Sequence, residues 1–126
     1  MAAGFFEQFG MQPVDSAGLD AQLAAAGDAL VGLYLWGTDC FNCEQFKKAA
    51  ALKADAFRDL GLTWLQTDVY ADRPMGLRFG LHGVPTFYFF HRGKKLGRIT
   101  SWPGWPQFES AVQGLRQRTG SGHAAS

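Results

Sequence analysis

The segment Leu30-Val31-Gly32-Leu33-Tyr34-Leu35-Trp36-Gly37-Thr38-Asp39-Cys40-Phe41-Asn42-Cys43 decides the fold. Its first half is a nearly continuous apolar run, the pattern of a strand covered on both faces, as in parallel sheets. Its second half enters a helical pattern in which Cys43, Phe46 and Ala50 recur on one face while Glu44, Gln45, Lys47 and Lys48 can meet water. The chain's two cysteines therefore stand one helical turn apart, where a strand runs into a helix. Residues three apart on a helix are neighbours at about 5–6 Å. A disulfide needs a Cα separation of about 4.4–6.8 Å. Cys40 falls at the helix N-terminus, where unpaired backbone amides favour an anion such as a thiolate.

Working outward, short apolar runs alternate with helical stretches, which is the α/β signature. On the N-terminal side, Phe5 to Phe9 reads as a short helical lead-in and Met11 to Val14 as a first strand. Asp15 or Ser16 is expected to cap a helix running to about Ala26, with Leu19 and Leu23 facing inward. On the C-terminal side, the helical pattern continues with a break near Lys53 and stops at Gly61, and Leu62 to Asp68 reads as the next strand. Asp72 caps a short helix ending at Gly80, and Pro85 to Phe90 is an aromatic strand. Arg92-Gly93-Lys94 makes a hairpin turn, and Leu96 to Ser101 returns. Pro106 suits the first position of a last helix whose inner stripe is Phe108, Ala111, Val112 and Leu115. Residues 1–118 are expected to form one domain, and the Gly-, Ser- and Ala-rich residues 119–126 a flexible tail.

With 126 residues, 47% of them hydrophobic, the chain suits one domain with one core. A net charge of +1 argues against an electrostatic nucleic-acid binder. No apolar run approaches the roughly 20 residues needed to span a bilayer. The start, Met1-Ala2-Ala3-Gly4-Phe5-Phe6-Glu7, has neither the basic nor the long apolar region of an export signal. The expected compartment is the cytoplasm, or the periplasm if a signal has been removed upstream. Two cysteines are too few to staple a secreted scaffold. In a reducing compartment such a pair suits catalysis, redox sensing or metal binding. Zinc wants four ligands, and only His82 joins the two cysteines as a candidate, so the expected metal complement is none.

The C-x-x-C opening a helix, followed far downstream by Gly83-Val84-Pro85-Thr86 at the head of the aromatic strand, resembles the thioredoxin superfamily from about Met11 to Leu115. The resemblance implies a thioredoxin-like α/β fold, with a central mixed sheet of four to five strands flanked by helices on both faces. It implies a thiol–disulfide oxidoreductase, with Cys40 as the attacking thiol and Cys43 as the buried resolving thiol; the expected cytoplasmic compartment favours the reductase direction. Pro85 matches the family's cis-proline beside the sulfurs, which leaves the Val84 backbone able to pair with an extended substrate. Trp36 matches the family's tryptophan on the strand leading into the site. The resemblance further implies protein or small-molecule disulfides as substrates and an electron-donating reductase as partner. It implies no cofactor beyond the Cys40–Cys43 disulfide itself, no nucleic acid or membrane partner, and a monomer.

The departures from the family concern residues that would tune the sulfurs. Asp39 stands before the first cysteine in place of a common tryptophan, and its carboxylate disfavours a neighbouring thiolate. Phe41 and Asn42 replace the usual Gly-Pro. Tyr34 and Gln66 take the places of a buried Asp and its Lys partner, and Lys48 stands near the place of a helix-kinking proline. Ser101 aligns with a small glycine beside the substrate groove, followed by Trp102-Pro103-Gly104-Trp105. Trp102 and Trp105 are expected as packing residues at the sheet end; the alternative, which makes Trp102 a substrate-binding candidate, is an aromatic wall over that groove. Two alternatives stay open: an interaction or redox-sensing module with little turnover, and an oxidant or isomerase of an oxidising compartment.

Overall fold

In the computed structural model, which describes residues 4–119, the apolar run Leu30–Trp36 forms the central strand of a five-stranded sheet. The elements in chain order are α1 (Phe5–Gln8), β1 (Gln12–Pro13), α2 (Leu19–Ala25), β2 (Leu30–Trp36), α3 (Phe41–Leu52) and α4 (Ala54–Asp59). They continue with β3 (Thr63–Asp68), α5 (Arg73–Arg78), β4 (Thr86–His91), β5 (Lys94–Thr100) and α6 (Trp105–Thr119). The strand order is β1-β3-β2-β4-β5. β2 pairs parallel with β3 and antiparallel with β4, so the sheet is mixed, as expected. A bulge between Phe89 and Phe90 interrupts the β4–β5 ladder.

Alternation along the strands sorts the core into two layers. Leu30 and Tyr34 of β2, Trp64 of β3, and Phe87 and Phe89 of β4 face one way, against Phe46, Phe57 and Phe108 of α3, α4 and α6. Val31, Leu33, Leu35, Tyr88 and Phe90 face the other way, against Leu19 and Leu23 of α2 and Met75 of α5. The first layer is rich in aromatic rings. Trp64 stacks nearly parallel to both Phe57 and Phe108, at centroid distances of 5.5 and 6.4 Å. Gly32 faces this layer from the neighbouring strand, and a Cβ there would stand 2.7 Å from the Trp64 ring.

Three local expectations need correction. Asp15 does not cap α2: its Oδ1 accepts the Gly18 amide at 2.7 Å and closes a turn, so the helix starts later, at Leu19. Ala111 is exposed, leaving Phe108, Val112 and Leu115 as the buried stripe of α6. α6 also runs through Thr119, one residue past the expected domain end, and the rest of the expected tail, 120–126, lies outside the described residues. Elsewhere the local chemistry acts where it was expected. Lys53, with φ −114° and ψ 39°, separates α3 from α4. Gly61 adopts φ 71° just after α4, a conformation that favours glycine. Asp72 Oδ1 accepts the Met75 amide at 3.1 Å and caps α5.

Candidate active site

Strand β2 ends at Trp36, and four residues later the chain enters α3, so the two cysteines lie beyond the C-terminal end of a central strand. Asp39 turns the corner with φ 54°, a left-handed conformation that Asp tolerates better than most residues. Cys40 is the N-cap of α3, and its Sγ accepts the backbone N–H of Cys43 at 3.1 Å. Cys40 and Cys43 are joined in a disulfide with their Cα atoms 5.2 Å apart. Cys43 is 1% exposed and packs into the core, whereas Cys40 is half-buried. The α3 N-terminus thus offers an amide to the outer sulfur, an arrangement that stabilises negative charge there when the bond opens.

The second segment reaches the same point at the start of β4, the antiparallel neighbour of β2. The Val84–Pro85 bond is cis and Pro85 is buried. The Cys40 Sγ lies 3.6 Å from the Val84 carbonyl oxygen. In the disulfide that sulfur carries no proton, and the thiol formed on reduction can donate to the same carbonyl. Thr86 Oγ1 donates to the Gly83 carbonyl at 3.0 Å, and the Ser101 amide donates to the Pro85 carbonyl at 2.8 Å, so the turn is held on both sides. Asn42 Nδ2 donates to Ser101 Oγ at 3.1 Å, tying the dipeptide between the cysteines to the end of β5.

Tyr34 and Gln66, at the positions where the resemblance expects an acid and its lysine, lie on neighbouring strands. The Trp36 indole N–H donates to Gln66 Oε1 at 2.7 Å. Tyr34 is the register partner of Gln66; it stacks on Phe87 at 5.3 Å and meets Phe46 at a tilt, 4.8 Å away. The Tyr34 hydroxyl is buried without a hydrogen-bond partner. Burial, and then the Glu44 carboxylate, push its phenol well above the usual tyrosine range. No carboxylate therefore occupies the Tyr34–Gln66 pair.

The remaining expected site residues are placed as follows. Asp39 is exposed beside Cys40, and Phe41 stands 74% exposed between the cysteines. Trp102 packs over the aromatic layer, 5.3 Å from both Phe46 and Phe108, and does not line the cleft at Val84, Pro85 and Ser101. That position fits the packing reading of Trp102, which is partly buried against the core, and the chain reaches it through Ser101, with φ 63°. His82 is exposed in the loop before Val84. Among the described residues no group of three or more His, Cys, Asp or Glu stands together as a metal site.

Sequence reasoning did not anticipate two features. One is the Trp36–Gln66 bond, which depends on a parallel register between segments 30 residues apart. The other is Tyr70, whose ring covers Gly37 so closely that a Cβ there would collide with it. The lack of a side chain at Gly37, directly after Trp36, was the only signal for that contact.

The five-stranded mixed sheet with this helix arrangement is a thioredoxin fold. With its C-x-x-C disulfide it is consistent with a thioredoxin-superfamily protein, and it supports thiol–disulfide oxidoreductase chemistry as the general class. Solved thioredoxins superpose on it closely. Thioredoxin f from spinach chloroplast (short form) matches with a TM-score of 0.69 at 25% identity, over 84% of this chain and 93% of that one. Fasciola hepatica thioredoxin matches with a TM-score of 0.70 at 17% identity, over 82% and 97%. A structure of a ferredoxin:thioredoxin reductase and thioredoxin f2 complex matches with a TM-score of 0.68 at 23% identity, over 84% and 94%. No protein-family model and no curated protein sequence matches the chain.

Proposed function

We propose that the protein is a thioredoxin-type disulfide reductase that works by cycling Cys40 and Cys43 between dithiol and disulfide. The observation that carries this reading is the asymmetry of the two sulfurs: Cys40 is half-buried at a helix N-terminus and accepts an amide, while Cys43 is 1% exposed behind it. The Cys40 thiolate attacks one sulfur of a substrate disulfide, forms a mixed disulfide and expels the other sulfur as a thiolate. Cys43, as thiolate, then attacks Cys40 Sγ, forms the Cys40–Cys43 disulfide and expels the second substrate thiolate. Two electrons pass to the substrate, and its thiolates take protons from solvent. In this reading Val84, Pro85 and Trp36 contact the substrate, and the Val84 carbonyl 3.6 Å from Cys40 Sγ supports it. No metal or organic cofactor enters the cycle.

A reductase must return two electrons to the disulfide. The thioredoxin f2 complex with ferredoxin:thioredoxin reductase supports a partner of that general kind. The substrates in this reading are protein or small-molecule disulfides met by a cytoplasmic monomer, without nucleic acid or membrane.

The test is turnover on a disulfide-bonded protein such as insulin. Cys43→Ser should accumulate mixed disulfides and Cys40→Ser should abolish exchange. An active Cys40→Ser variant would sink the assignment. Equilibration with glutathione then fixes the direction, since proteins of this kind run from about −270 mV for reductants to about −120 mV for oxidants. One observation favours a redox-sensing module with little turnover instead: Tyr34 and Gln66 supply no carboxylate below the disulfide to move protons. Slow insulin reduction together with an intact, reversible disulfide would select that reading.

A further inference from the structure

Gly37, Thr38 and Asp39 carry the chain from Trp36, the end of β2, to Cys40, the N-cap of α3. Among the described residues these three make no hydrogen bond. Thr38 and Asp39 are exposed, and Asp39 stands at φ 54°, a conformation that a residue other than glycine keeps only where its surroundings impose it. Gly37 is buried, and the atoms nearest to where its side chain would be are those of the Tyr70 ring.

Tyr70 is anchored independently of that turn. Its amide donates to Asp68 Oδ1 at 3.0 Å, and the amides of Ala71 and Asp72 donate to the Asp68 carbonyl at 3.1 and 3.0 Å. The Val69 amide donates to the Trp36 carbonyl at 2.9 Å, which fastens the Tyr70 segment to the end of β2. Yet Tyr70 is 66% exposed, so burial of its own apolar surface gives the ring little reason to lie there. Laid on a glycine, it fixes the backbone beneath it.

Cys40 depends on that backbone. While the disulfide is closed, Cys43 holds Cys40 covalently. Reduction removes the tether and leaves the Cys40 sulfur with the Cys43 amide and the Val84 carbonyl. The turn must then keep Cys40 at the N-cap, where it attacks a substrate and is afterwards attacked by Cys43.

We infer that Tyr70 is a positioning residue for disulfide exchange: its ring clamps Gly37 and so holds the turn, and Cys40 after it, in place in the dithiol state. This role rests on the function proposed above and adds to it a residue outside both sequence motifs.

The test measures kcat and KM for insulin reduction, above the rate of dithiothreitol alone as electron source, in Tyr70→Ala, Tyr70→Phe and Gly37→Ala. Tyr70→Ala should lower kcat about tenfold and leave KM within about twofold, since misplacing a reacting group costs rate more than substrate affinity. Tyr70→Phe keeps the ring and should retain the unaltered kcat. Gly37→Ala should imitate Tyr70→Ala: Gly37 is not among the glycines with positive φ, so alanine adds only the methyl group that displaces the ring. The double variant Gly37→Ala with Tyr70→Ala should cost no more than Tyr70→Ala alone, because both changes break one contact. Gly37→Ala beside Tyr70→Phe carries the test if Tyr70→Ala does not fold.

An unchanged kcat in folded Tyr70→Ala overturns the inference and leaves the reductase reading standing. So does a raised KM at constant kcat, which makes the ring a substrate contact, or a Tyr70→Phe variant as slow as Tyr70→Ala, or additive losses in the double variant. No turnover by the unaltered protein removes the reductase reading and the inference together.

Discussion

The Trp36 indole N–H and the Gln66 side-chain oxygen meet at 2.7 Å, joining the parallel strands β2 and β3. Both groups are largely withdrawn from water, Gln66 being 9% exposed. Removing one partner leaves the other desolvated and unmade, which costs about 1–3 kcal/mol. Gln66→Leu should lose about that much stability in urea denaturation. An unchanged midpoint and slope would show that the bond contributes nothing.

Tyr34 offers the opposite case, a buried hydroxyl with no partner. Tyr34→Phe removes a desolvated polar group and keeps the ring stacked on Phe87, so stability at neutral pH should hold or rise by up to about 1 kcal/mol. A loss of stability on that change would place a hydrogen bond where the structure has none.

The same residue gives a pH signature. Burial raises the Tyr34 phenol in the folded state, whereas a tyrosine in the unfolded chain ionises near pH ~10. The folded state then holds more protons than the unfolded state above that pH, so stability falls as pH rises past about 10. Below it the contribution is fully present. Tyr34→Phe should flatten this alkaline limb, and identical limbs for the two proteins would refute it.

Asp28 works at the acid end. Arg92 and then His91 hold its carboxyl below the usual Asp range through hydrogen bonds at 2.8 and 3.0 Å. The stabilisation is present above the ordinary Asp range and is lost as pH falls through the lowered value. The carboxylate is exposed, so the effect is small. Asp28→Asn should melt slightly below the unaltered protein at pH ~7, and the gap should close near pH ~2. A gap that stays constant with pH would rule out the ion pairs as its source.

Gly32 and Trp102 test the aromatic layer. A methyl group at Gly32 would press on the Trp64 ring, and such overpacking costs about 1–3 kcal/mol for Gly32→Ala. Trp102→Ala opens a void beside Phe46 and Phe108 and should cost about 3 kcal/mol. The folded Trp102→Ala protein should keep its KM for a protein disulfide. A raised KM with unchanged stability would return Trp102 to the substrate groove.

Much of this architecture was legible because it depends on local pattern. The run Leu30–Trp36, the cysteines at helix spacing, the Asp72 cap and the Gly61 stop each act within a few residues of themselves. Readings went astray where two local partners compete or where distant segments meet. Asp15 could cap a helix or close a turn, and the Gly18 amide lay nearer. Ala111 is small enough for either face of α6. Packing was the first reading for Trp102, but its particular contacts with Phe46 and Phe108 join distant segments that sequence spacing does not reveal. The pairing of Gln66 with Trp36 required the register of β2 on β3.

The outer strands of the sheet bear on how the protein behaves at high concentration. On one side the border strand β1 is two residues long and ends in Pro13, which has no N–H to offer a neighbour. On the other, β5 carries Lys94, Lys95 and Arg98 within seven residues, and the bulge at Phe89 and Phe90 bends its ladder. A second copy seeking to extend the sheet would find either too little backbone or a row of like charges. Both edges therefore carry features that disfavour edge-to-edge growth in a crowded solution.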